Sequence, residues 1–257
     1  MQETGIIALP VRLVSLNFWS LQPDGLLTFT FRCLRRGGEL QTSPESPKVG
    51  FFSVHSLPNP MLAMSRKRLQ RGLQHAGGPV EWWAWHYSFW MRVSRFLIFN
   101  VLYRWLDLKR KIKGQPPYIP PPTWEIGVYT AVQNGNNEVL WRTDMEGDLW
   151  HLPGGQNPEM TPPWDTAVSL TQQQTGLKIC LTDLSGVYVA ENSNRMALLF
   201  TAVVEDEKRE GETANSTVLS AGVIAWSAAA PEDAPSQHKQ YVEDAALPDN
   251  QTNFRLL

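Results

Sequence analysis

In the second half of the chain, apolar and polar positions alternate in short runs separated by turn residues. WEIGVYTAV at 124–132 and EVLWR at 138–142 flank QNGNN, which predicts a hairpin. Further strand-like runs fall at 178–190 (KICLTDLSGVYVA), 195–204 (RMALLFTAVV) and 218–226 (VLSAGVIAW). Helical spacing interrupts them. Trp164, Ala167, Val168 and Thr171 recur at i, i+3, i+4 and i+7 and predict a helix over 162–175, capped by Thr161, with Pro162 at its first position and Gly176 at its close. SQHKQYVEDAAL at 236–247 is also helical in pattern. A sheet with a helix inserted after its first strands is an α+β plan, here over residues 123–257.

The first half is patterned differently. Residues 1–60 carry short apolar runs, GIIALPVRLVSLNFW and LLTFTF, with no sustained period, and form an unassigned extension. Residues 61–113 are basic and aromatic. Within them EWWAWHYSFWMRVSRFLIFNVLYRWLDL, 81–108, lacks Gly and Pro and predicts one long helix. Arg92, Arg95, Arg104 and Asp107 break up its apolar run, which argues against a membrane span. GQPPYIPPP at 114–122 is a stiff, extended linker, because successive prolines lock φ and remove donors.

Composition sharpens this division. A chain of 257 residues, 42% hydrophobic with 11 Trp, can bury one good core and an appendage. Cys33 and Cys180 stand alone, without the spacing of a disulfide framework or a zinc site. The opening MQETG lacks the basic start and compact apolar core of a secretory signal, so a cytoplasmic setting is expected. The formal charge of -2 conceals a basic segment at 61–114, with only Glu81 and Asp107 as acids, and an acidic remainder. Trp and Tyr interleaved with Lys and Arg over 82–113 suit a helix docked on its own domain or on a protein partner, or an amphipathic helix peripheral at an anionic membrane. No nucleic-acid recognition motif accompanies these charges.

The candidate chemistry lies in GDLWHLPGGQNPEMTPPWDTAVSLTQQQTGL, 147–177. A Gly154-Gly155 turn leading into a helix is suited to an anionic ligand, and His151 stands beside it. The spacing resembles the Nudix box: Gly, five residues, Glu, seven residues, Arg-Glu-apolar, one residue, Glu-Glu, one residue, Gly-apolar. With the loop glycine at Gly155, the closing pair falls without a gap on Gly176 and Leu177. The resemblance covers roughly 124–247. It implies an α/β/α sandwich around a mixed sheet, and Mg²⁺- or Mn²⁺-dependent hydrolysis of nucleoside-diphosphate-linked compounds.

The box is degenerate in its chemistry. The family's acid positions hold Thr161, Leu170, Gln173 and Gln174; its arginine position holds Ser169, and Thr171 takes an apolar one. Mg²⁺ is a hard cation that binds through oxygen, usually with one or two carboxylates. One unit-charge pair at 4 Å is worth about 4 kcal/mol at an effective dielectric near 20. Loss of two or three such partners therefore weakens metal affinity by several powers of ten. The expectation is a pseudoenzyme that binds a ligand or partner, with Gly154, Gly155 and His151 available to a nucleotide or other diphosphate and no resident cofactor. The alternative is an active diphosphate hydrolase in which Glu159, Asp165 and acids of EDEKREGE, 205–212, hold Mg²⁺ or Mn²⁺. A second alternative is a membrane-surface or assembly subunit docked through the aromatic helix.

Overall fold

A computed structural model describes residues 4–20, 25–43, 46–85, 93, 97, 101, 103–112, 114, 122–143, 149–205, 217–219, 222–246 and 252–256. Of the predicted linker, 115–121 lies outside these residues, as do 206–212 of the acidic run.

The α+β plan of the second half is observed. Strands β4 (Glu125–Gln133), β5 (Val139–Thr143), β6 (Trp150–His151), β7 (Gly154–Gln156), β8 (Ile179–Val189), β9 (Arg195–Val204), β10 (Thr217–Leu219), β11 (Gly222–Ser227) and β12 (Asn253–Leu256) form one sheet. Its order is β10-β11-β5-β4-β9-β8-β12, with β6 on β5 and β7 on β4. The sheet is mixed: β4 runs parallel to β9 and β12 to β8, whereas β8–β9 and β5–β11 are antiparallel.

Period-two alternation sends successive side chains to opposite faces. Leu198 and Phe200 of β9 join a core with Trp164 and Ala167 of helix α3 (Pro163–Thr175). Leu199 and Ala197 join another with Tyr241 of helix α4 (Ser236–Ala245). One helix thus covers each face. Gly176 ends α3 in the left-handed region, φ 72°, and its N–H donates to Gln172 O.

The N-terminal extension is a long antiparallel hairpin of β1 (Ile6–Trp19) and β2 (Leu26–Gly38). Its pattern misleads because burial does not follow polarity: Ile7, Leu9 and Val11 are exposed, whereas Ser15 and Asn17 are buried, Asn17 donating to Ser15 and Thr30. Pro10 is tolerated inside β1 because the register shifts between Pro10 and Arg12.

The single helix predicted over 81–108 is corrected. Glu81–Trp85 is a strand, β3, parallel to β1 with Leu16 opposite Trp82 and Trp19 opposite Trp85. An apolar run without polar interruptions fits a buried strand as well as a helix, and tryptophan favours the pleated surface. The helical part that is observed is α2, Tyr103–Ile112; most of 86–102 lies outside the described residues.

The three-stranded sheet β2-β1-β3 packs on the α3 face of the larger one. Leu13, Leu16, Phe18 and Val80 share a core with Val128, Trp164, Leu184 and Phe200, and Trp82 meets Phe200 edge-on at 5.8 Å. Asp183, in the irregular part of β8, accepts the Val80 N–H at 2.7 Å and the Leu184 N–H at 2.8 Å. Helix α1 (Ala63–Gln74) lays Lys67 and Arg71 against Trp83, at 5.7 and 4.4 Å from the ring centre, and Arg71 also pairs with Glu81 at 3.1 Å.

Candidate functional site

The loop from Leu152 to Pro162 joins the glycine turn to α3, and the fold fixes it from several sides. Gly154 pairs with Tyr129 across β4 and β7. Its φ of 155° and its closeness to the Val128 carbonyl leave no room for a Cβ, which explains glycine at this position. The Thr130 N–H donates to Pro153 O at 2.9 Å. Farther along, Asn157 donates from its backbone to Ile126 O at 2.7 Å and from its side chain to Thr161 O at 2.9 Å.

The two residues at the heart of the box replace charge with neutral closure. Gln174 Oε1 accepts the Gly154 N–H at 2.9 Å, and Gln174 Nε2 donates to Gly154 O at 2.9 Å. The amide does both, which the ionised carboxylate of a glutamate cannot, because it has no donor. Leu170 Cδ1 lies 3.4 Å from where a Cβ on Gly155 would stand, so its aliphatic end covers the second glycine. Gln173 and Ser169 are exposed on the outer side of α3. Thr171 is fully buried with its hydroxyl unpartnered among the described residues, in a place suited to an apolar side chain.

The N-terminus of α3 departs from expectation. Pro162 is the N-cap and Pro163 the first helical residue; Thr161 makes no capping bond and instead donates from Oγ1 to Glu159 O at 3.4 Å. Two consecutive prolines remove two donors, and the N–H groups of Asp165 and Thr166 both go to Pro162 O, at 3.0 and 3.2 Å. With the Gly154 N–H committed to Gln174, this corner offers an anion fewer backbone donors than its sequence suggests.

Glu159 and Asp165 are both exposed, the first in the loop and the second in the first turn of α3, where the helix dipole favours an acid. Among the described residues, no three His, Cys, Asp or Glu side chains converge as a metal site would require. Divalent metal is therefore a poor fit to the box corner: Leu170 brings no donor atom, and both polar atoms of Gln174 are already engaged.

On the opposite face of the sheet lies a cluster that sequence reasoning missed. His238 of α4 is buried, and its Nδ1 accepts the Leu152 N–H at 3.0 Å. Burial, reinforced by the nearby positive groups of His151 and Arg142, lowers its pKa to about 4 and keeps the imidazole neutral. His151, opposite Arg142 in the β5–β6 ladder, stands edge-on to His238 at 5.3 Å. Tyr129 and Tyr241 complete the aromatic packing, at 4.8 and 5.6 Å from the His238 ring. Tyr188 donates to buried Asp244 at 2.7 Å, and Arg255 of β12 binds the same carboxylate through Nε at 2.8 Å. Burial raises the Tyr188 and Tyr241 hydroxyls above the ordinary phenol range. The spacing of His238 and Tyr241 at i and i+3 was the available sequence signal. The structure therefore brings His151 to His238, and Gly154 to Gln174, without forming a cluster of acids at either place.

No protein-family profile and no curated protein matches the chain. Among solved structures it is similar to a NUDIX hydrolase from Nitrosomonas europaea, at 15% identity and TM-score 0.39 over 55% of this chain and 84% of that one. It is similar to an ADP-ribose pyrophosphatase from Streptococcus suis, at 13% identity and TM-score 0.39 over 51% and 99%. It is also similar to a MutT protein from Methanosarcina mazei, at 16% identity and TM-score 0.37 over 49% and 94%.

Proposed function

We propose that this chain is a Nudix-like domain kept for binding rather than for metal-dependent hydrolysis. One observation carries the reading: the Gln174 amide closes on Gly154 from both sides, so the corner that the box spacing marks for a metal is held together by neutral hydrogen bonds. Leu170, over Gly155, adds an apolar wall where a carboxylate would be needed. The gapless box spacing and the two-sided helical cover of a mixed sheet support the family reading. A nucleotide or other diphosphate remains the ligand class that the box implies, with Gly155 nearest to it, whereas His151 packs against His238 on the opposite face of the sheet. The committed donors and paired prolines at this corner weaken its hold on a diphosphate.

The competing reading is a working hydrolase that uses Glu159, Asp165 and acids of 205–212. The full chain incubated with Mg²⁺ or Mn²⁺ and ADP-ribose, NADH or nucleoside triphosphates separates the two. Product formation at the level of protein-free controls is expected. Turnover that disappears in Glu159→Gln would establish the hydrolase instead.

A further inference from the structure

The basic, aromatic segment divides into two parts with different fates. In the first, charges are used within the molecule: Lys67 and Arg71 of α1 lie on Trp83, Lys67 also lies on Trp85 at 5.2 Å, and Arg71 pairs with Glu81. In the second, around α2, several apolar side chains are exposed. Val101, just before the helix, and Trp105, Leu108 and Ile112 within it are 55%, 55%, 57% and 79% exposed. At about 100° per residue these four fall within an arc of roughly 60°. Arg104 and Lys111 lie along one side of that arc and Lys109 along the other, all three exposed, and the Lys109 ammonium is 5.0 Å from the Trp105 ring centre. No helix among the described residues is long and apolar enough to cross a membrane.

A narrow apolar stripe bordered by cations is what a helix lying in the plane of an anionic lipid surface presents: the stripe enters the acyl boundary and the ammonium and guanidinium groups meet the headgroups. A nucleic acid would satisfy the same charges but would leave Leu108 and Ile112 in water, since phosphates and sugars offer no apolar phase. We propose that α2 docks the protein on anionic lipid bilayers, with Trp105, Leu108 and Ile112 inserted and Arg104, Lys109 and Lys111 on the headgroups.

The test is flotation of the full chain with vesicles of phosphatidylcholine alone and of phosphatidylcholine with phosphatidylserine. Two variants accompany it: Leu108→Glu with Ile112→Glu on the stripe, and Lys109→Glu with Lys111→Glu beside it. Both change exposed positions, and unchanged circular dichroism and melting confirm that each variant folds. The expected result is flotation with the anionic vesicles only, diminished by salt and reduced about tenfold or more in each variant. Absence of flotation, equal flotation of the stripe variant, or concentration-dependent self-association in place of lipid binding would overturn the proposal. So would retention on single-stranded RNA that leaves vesicle binding undetected. Because the readout involves neither metal nor turnover, its failure is separate from failure of the binding-domain reading.

Discussion

Gln174, Thr171 and His238 make the chemistry of the box region measurable at single positions. Gln174→Glu keeps an acceptor for the Gly154 N–H but loses the donor to Gly154 O and turns a carboxylate oxygen toward that carbonyl. The expected cost is about 1–2 kcal/mol in a urea melt. Thr171 buries a hydroxyl that has no partner among the described residues, so Thr171→Val should be neutral or should stabilise by up to about 1 kcal/mol. For His238 the direction of the pH effect follows from its lowered pKa. The imidazole takes its proton near 6.5 when exposed and only near 4 in the fold, so the unfolded chain binds more protons between those values. Stability is complete above pH 6.5 and falls as the pH drops toward 4, by at most about 3 kcal/mol. Urea midpoints across this range check it. His238→Asn, which retains an acceptor for the Leu152 N–H, should flatten the slope.

Among the elements, the join between β3 and β8 rests on a few identifiable contacts. Asp183 satisfies two backbone donors, at Val80 and Leu184, and Asp183→Ala leaves both without that acceptor. The expected loss is about 1–3 kcal/mol, with faster amide exchange at Val80 than in the parent. Slow exchange at Val80 in the variant would show that the parallel pairing to β1 holds the segment unaided. The elements differ in how legible they were. β4, β5, β8 and β9 are short apolar runs bounded by turn residues, and α3 and α4 carry helical spacing, so the sequence locates them. In β1 the polar Ser15 and Asn17 are buried while Ile7, Leu9 and Val11 are exposed, and β3 is a short apolar and aromatic run, so neither shows an apolar buried side against a polar exposed one. The cap of α3 was misplaced by one residue because two prolines adjoin, and either can begin a helix. The missing carboxylates of the box were plain in the sequence. That one replacement would clamp the glycine turn required coordinates, since Gly154 and Gln174 meet only when β7 and α3 pack together.

At the scale of the whole molecule, the extension and the box domain share one core: Leu16, wholly buried in β1, lies in the same cluster as Trp164 of the box helix. Leu16→Ala should therefore cost about 2–5 kcal/mol and lower the unfolding of both regions together. Separate transitions by near- and far-ultraviolet dichroism would mean that the hairpin is an independent unit. This shared burial bears on function as well, because it places a structural demand on α3, whose inner face must serve two sheets whatever its outer face does. The central claim, that the box corner is closed by neutral groups and holds no divalent ion tightly, is tested most directly by calorimetric titration of the full chain with Mn²⁺ at neutral pH. No saturable heat is expected up to millimolar metal. A saturable isotherm of one or two ions per chain, abolished by substitution of Glu159 or Asp165, would contradict it.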